Sequence, residues 1–203
     1  MRIAFVISEH AGGLLPERMD RYHAVERRLA QLARAEVTTV HYSELGAIGA
    51  DATVLSGSAD PWSAHDPAAL DDLFGSLRAR EEPVLGICAG MQLLARAGGG
   101  EVRTADRPAG PGFANVDVLD ASDLLAGLER RVSVWEHHTD EVCPLPKGFR
   151  VLAGSERCAV EALAADDRPW WGTQFHPEEW NGDHPAGRLI LENFLRLAGI
   201  PLR

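Results

Sequence analysis

Cysteine is scarce in this chain: Cys88, Cys143 and Cys158 are the only three among 203 residues, and no two stand in CxxC spacing. So sparse and odd a set excludes a disulfide framework and a dithiol or zinc-ribbon motif, and it points to the reducing cytoplasm. Positive charge is also short. Lys and Arg number 20 against 30 Asp and Glu, a formal net charge of −10, which repels phosphate backbones and anionic headgroups, so neither nucleic acid nor a membrane is expected as a partner. No run approaches the roughly 20 apolar residues of a membrane helix. The opening MRIAFVISEH ends its apolar stretch too early for a signal-peptide core and reads as a first strand. Internal repeats, low-complexity tracts and interdomain linkers are missing too, and residues 1–203 read as one domain.

What is present is an ordinary globular composition, 45% hydrophobic and 25% charged, with two kinds of periodicity. Arg2 to Ser8 is a short apolar run, followed by Tyr22, Val25, Leu29 and Leu32 at helical steps of three and four. Val37 to Tyr42 and Ala52 to Leu55 then read as strands, Pro67 to Arg80 as helix, and Pro83 to Ile87 as strand. Such alternation predicts a parallel sheet covered on both faces. Beyond it the chain leans toward β, with strands expected at Ala114 to Leu119, Val132 to Trp135, Phe149 to Ala153, Ala159 to Ala164 and Trp170 to Gln174. A last helix is expected after an Asp183 N-cap, with Ile190, Phe194 and Leu197 on one face.

The segment Val84-Leu85-Gly86-Ile87-Cys88-Ala89-Gly90-Met91-Gln92 runs from an apolar strand through a glycine-flanked cysteine into an amphipathic helix. That is the pattern of a nucleophile elbow, in which a sharp turn leaves no room for Cβ atoms on either side and the helix N-terminus favours a thiolate. Alone, it equally describes a buried structural cysteine. Near the C-terminus, Gln174-Phe175-His176-Pro177-Glu178 places a carboxylate two residues beyond a histidine just past a strand. In an extended segment both would point the same way, so Glu178 can orient His176 and His176 can take a proton from Cys88.

GICAGMQLL and GTQFHPE, in this order and at this separation, resemble the class I glutamine amidotransferases, and the element order extends the resemblance over nearly the whole chain. The resemblance implies a three-layer α/β/α sandwich of flavodoxin-like type with a mostly parallel central sheet. It implies a triad at Cys88, His176 and Glu178, and a contact between Gln92 and substrate glutamine. Where the family has a Gly-Gly-Pro-like loop, this chain has Gly57-Ser58-Ala59. The backbone N–H of Gly57, or less favourably Ser58, is expected to join that of Ala89 as an oxyanion hole, because amides rather than side chains do that work. Val134-Trp135-Glu136-His137-His138-Thr139-Asp140-Glu141-Val142 resembles the Ser-His-Gly-Asp-x-Val segment of GMP-synthetase-type amidotransferase domains, which implies that backbone near His138 and Thr139 lines the glutamine pocket and that Asp140 faces a partner.

A metal site at His137 and His138 is not expected, since strand neighbours face opposite ways and no carboxylate or Cys cluster completes a ligand set. Cys143 and Cys158 read as structural; Trp62, Trp135 and Trp180 read first as core packing or chance exposure, with a pocket rim or a partner contact as the alternative. The chemistry implied is hydrolysis of L-glutamine to glutamate and ammonia through a thioester on Cys88, with no metal or organic cofactor. With no acceptor module in the chain, the ammonia would pass to a separate synthase or ligase. Two alternatives remain open: a free-standing hydrolase of γ-glutamyl amines or peptides with the same triad, and a non-catalytic regulatory subunit.

Overall fold

Side chains along the first strand, β1 (Arg2–Ile7), alternate between two hydrophobic cores, as the period of two requires. In the computed structural model, which describes residues 1–203, Ile3, Phe5 and Ile7 pack with Tyr22, Val25 and Leu29 of α1 (Pro16–Leu32) and with Ile190, Leu191 and Phe194 of α4 (Ala186–Leu197). Ala4 and Val6 face the opposite way, onto Leu70, Leu73, Phe74 and Leu77 of α2 (Pro67–Arg78) and Leu93 and Leu94 of α3 (Ala89–Ala97). One sheet buried on both faces by helices is the three-layer α/β/α sandwich. No helix is long and apolar enough to cross a membrane.

The remaining strands are β2 (Glu36–His41), β3 (Ala52–Leu55), β4 (Val84–Ile87), β5 (Val102–Val118), β6 (Arg131–Val142), β7 (Phe149–Gly154), β8 (Ala162–Ala165) and β9 (Trp170–Thr173). They form a nine-stranded sheet in the order β2-β1-β3-β4-β9-β8-β7-β5-β6. The pairings from β2 through β9 are parallel. From β9 outward through β8, β7, β5 and β6 they are antiparallel. The sheet is therefore mixed: parallel in the half built by α/β alternation, antiparallel where short links join successive strands.

Three details depart from the sequence reading. The expected strands at Ala114 to Leu119 and Val132 to Trp135 are parts of a much longer β5–β6 hairpin, in which register shifts between Thr104 and Gly112 absorb Pro108 and Pro111. Bulges let a ladder continue past prolines that cannot donate to it. Asp183 does not cap α4. Pro185 precedes the first turn, and Asn181 Oδ1 accepts from the Asp183 and His184 amides at 3.0 and 2.9 Å, forming the turn that leads in. Finally, Leu197 is exposed, and Leu191 and Asn193 complete the buried face instead.

Candidate active site

β4 delivers its residues to the carboxyl edge of the parallel half and α3 begins at Ala89, so Cys88 alone makes the turn. Its backbone sits at φ 51°, ψ −108°, a conformation that costs a non-glycine residue on the order of 1–3 kcal/mol and persists only where neighbours enforce it. They do. Cys88 N donates to Thr173 O at 2.7 Å, and Cys88 O accepts from Gln92 N at 3.1 Å. The glycines on either side are required by close approach: a Cβ on Gly86 would run into the backbone of Gly90 and Met91, and one on Gly90 would lie 2.5 Å from Leu55 O. The elbow pattern is thus realised, with the thiol aimed off the sheet edge.

His176 follows β9 and is tied down by its own amide, which donates to Trp135 O at 2.8 Å. Its ring Nδ1 bonds Glu178 Oε1 at 2.7 Å, and both side chains are buried. The pair does not form along an extended segment, as the i, i+2 argument supposed; residues after His176 turn, with Glu179 N donating to His176 O at 3.1 Å. Burial by itself would lower the imidazole pKa, but the carboxylate of Glu178 and the Cys88 side chain outweigh it and hold the group well above its ordinary value. The upward shift favours the charged imidazole, the form suited to giving a proton to a leaving amine.

The loop after β3 borders Cys88 and His176. Neither Gly57 nor Ser58 has an acceptor for its amide within the protein, and Gly57 lies against both His176 and the Cys88 Cβ. Ala89, as the first residue of α3, has an N–H that the helix leaves free. A residue the sequence reading did not single out holds this loop. Glu9, fully buried just past β1, accepts from Ala59 N at 2.8 Å, from Ser58 Oγ at 2.9 Å and from Tyr22 Oη at 3.4 Å. Its signal was a lone carboxylate directly after an apolar strand. We expect Glu9→Ala to lower kcat by about 10–100-fold with a smaller change in KM, because misplacing oxyanion donors weakens transition-state more than ground-state binding. Glu9→Gln, whose carbonyl can still accept from Ala59 N, should recover part of the loss; steady-state kinetics on both variants checks this.

Cys88, Ala89, Gln92 and His176 open onto a cleft of about 400 Å³, walled on its far side by His137, His138, Thr139 and Asp140 of β6. Along β6, His137 and Thr139 are exposed whereas the His138 side chain is buried, so His138 borders the cleft with its main chain. Gln92 lines the cleft, but its amide is committed to protein partners: Oε1 accepts from Trp62 Nε1 at 3.0 Å, and Nε2 donates to Asp140 O at 2.9 Å and Gln174 Oε1 at 3.1 Å. Gln174 Nε2 in turn lies 3.5 Å from Cys88 Sγ. Arg21 of α1 is the one Arg or Lys on the cleft lining, a cation that its place on a polar helix face did not reveal. Of the three tryptophans, Trp62 reaches the cleft; Trp135 packs edge-on to Phe113, and Arg28 covers Trp180. Cys143 and Cys158 are unpaired and outside the cleft lining.

The family model described as "Glutamine amidotransferase class-I" matches residues 19–198. A glutamine-hydrolysing GMP synthase subunit from Thermococcus kodakarensis is 36% identical over 180 residues, covering 87% of this chain and 93% of that one. Among solved structures, a protein provisionally described as a GMP synthase subunit from Thermoplasma acidophilum matches with a TM-score of 0.80 at 30% identity, over 98% of this chain and 94% of that chain. A glutamine amidotransferase from Thermotoga maritima matches with a TM-score of 0.70 at 16% identity, over 97% of each chain, a likeness of fold alone.

Proposed function

Because this chain belongs to the class I glutamine amidotransferases, we propose that it is a glutaminase subunit, acting through Cys88, His176 and Glu178 and passing ammonia to a separate synthase. The observation that carries this reading is the buried 2.7 Å pair of His176 and Glu178 beside a thiol on a strained elbow, next to a loop whose amides lack acceptors. Arg21, the one cation on the cleft, suits the α-carboxylate of an amino-acid substrate.

The Cys88 thiolate attacks the side-chain amide carbon of glutamine, and the amides of Gly57 and Ala89 stabilise the resulting oxyanion. His176 gives its proton to the departing nitrogen, releasing ammonia and leaving a γ-glutamyl thioester. The same imidazole, now neutral, takes a proton from water as it attacks the thioester; collapse of the second tetrahedral species returns the thiolate and releases glutamate. Glu178 keeps the ring oriented and supports its positive charge throughout. The three unpaired cysteines suit work in the reducing cytoplasm.

By likeness to the GMP synthase subunit of Thermococcus kodakarensis, the acceptor to test first is the companion subunit of such a synthase. The isolated chain should hydrolyse glutamine slowly, and adding that companion with its own substrates should raise the rate and yield glutamine-dependent amination. Full-speed hydrolysis without any companion, together with a preference for γ-glutamyl amines or peptides over glutamine, would instead identify a free-standing hydrolase.

A further inference from the structure

On the face of β6 turned away from the catalytic cleft, two buried side chains two residues apart, Glu136 and His138, meet Cys158 and Glu161 from the link between β7 and β8. One nitrogen of His138, the Cys158 sulfur and a Glu161 oxygen all lie within 4.8 Å of one another. Glu136 Oε2 stands 3.4 Å from His138 Nε2. Residue exposures are 4% for Glu136, 5% for His138, and 1% for both Cys158 and Glu161. In sequence these residues are too far apart to register as a set; the β7–β8 link brings Cys158 and Glu161 to His138.

We propose that Glu136, His138, Cys158 and Glu161 form a binding site for a divalent transition-metal ion, zinc by the chemistry of its donors, separate from the Cys88 centre. The hydrogen bonds around the cluster point the same way. His138 Nδ1 faces Asp140 O at 3.2 Å; a carbonyl only accepts, so Nδ1 carries the proton and Nε2 presents its lone pair to the cluster. Ser155 Oγ donates to Glu161 Oε1 at 2.6 Å, which leaves the other Glu161 oxygen free. His138 Nε2, Glu161 Oε2 and both Glu136 oxygens are buried without a hydrogen-bond partner. Four buried polar atoms without a hydrogen-bond partner are costly, each on the order of 1–3 kcal/mol, and a cation resolves all four at once.

One imidazole, one thiol and two carboxylates supply the four ligands of a closed tetrahedral zinc site, whose donors sit roughly 3.5 Å apart; His138, Cys158 and Glu161 already lie within 4.8 Å of one another, and Glu136, which reaches the cluster through His138 Nε2, must close in to complete the set. Binding would take the proton from the thiol, whose hydrogen now points at Val160 O at 3.3 Å. A cleft of about 360 Å³ lined by Glu136, His138 and Glu161 gives the ion access from solvent. The other cluster of this kind, Glu9, His10 and Asp60, differs in that Arg18 already supplies a cation to it and both Glu9 oxygens have donors. A metal at His138 would also brace the catalytic cleft: Asp140 O receives both His138 Nδ1–H and Gln92 Nε2–H, and metal-bound imidazoles donate more strongly through their second nitrogen.

The test uses the full chain carrying Cys88→Ala, which removes the thiol of the catalytic cleft, stripped with a strong chelator and titrated with Co²⁺ and with Zn²⁺. One equivalent of Co²⁺ should bind with a thiolate-to-cobalt charge-transfer band, and Zn²⁺ should displace it and raise Tm. Cys158→Ser should abolish the band, and Glu136→Gln, the gentler change, should weaken Co²⁺ binding by at least about 10-fold. If no band forms, or if it survives Cys158→Ser, or if Glu136→Gln binds as tightly as its parent, the site does not exist and the cluster is held by protons, as an imidazolium and a shared carboxyl proton. Neither readout depends on glutamine hydrolysis, so this inference and the proposed function fail independently.

Discussion

Replacing Cys88 with Ala should lower glutamine hydrolysis by at least about 10⁴-fold while leaving the fold intact, because a covalent route has no substitute for its nucleophile. The sheet edge, the oxyanion loop and the cleft would all survive. Ala at φ 51° is no more strained than Cys, and the buried sulfur contributes on the order of 1 kcal/mol of packing, so Tm should shift by no more than a few degrees. Glutamine should still bind, since the other residues that line the cleft are unchanged. Steady-state turnover, a thermal melt and glutamine binding to the inactive protein check the three parts together. A Cys88→Ala protein that kept its biological role would point to the regulatory reading.

Glu178→Gln should have the next largest effect, about 10²–10⁴-fold in kcat with little change in KM. The amide preserves shape but not charge, and whenever its NH₂ faces Nδ1 the imidazole is held in the wrong tautomer to exchange protons with Cys88 and the leaving nitrogen. The same substitution has a pH signature in stability. The folded-state pKa of His176 is raised above its unfolded value, so the imidazolium's contribution is fully present below the unfolded value of about 6.5 and is lost as pH rises through the folded one. The Tm advantage of the native chain over Glu178→Gln should accordingly be largest near pH 6 and shrink on going alkaline. An advantage that grows with pH would mean that His176 is neutral in the folded protein.

The parallel half of the sheet and its helices were legible because each element carries one clean period. Ala52–Leu55 is wholly buried, and α1 shows its apolar stripe at Tyr22, Val25, Leu29 and Leu32. The β5–β6 hairpin was legible only in fragments, since Pro108, Gly110, Pro111 and Gly112 carry turn chemistry that the bulges override. In the site, Cys88, His176 and Glu178 stood out because sharp turns and a base with its carboxylate leave compact motifs. Glu9, Arg21 and the Glu136, His138, Cys158 and Glu161 cluster did not, because they are single residues from distant segments whose association is made by sheet order alone. The tie of Gln92 to Trp62 is of the same kind: its two residues lie on opposite sides of α2, 30 positions apart.

Whether Cys88 carries a γ-glutamyl thioester during turnover is the most direct test of the account. Acid-quenching the protein during glutamine hydrolysis and mapping its peptides by mass should reveal a γ-glutamyl adduct on Cys88 that vanishes in Cys88→Ala along with turnover. Steady hydrolysis of glutamine by Cys88→Ala, or an adduct on Cys143 or Cys158 instead, would contradict it.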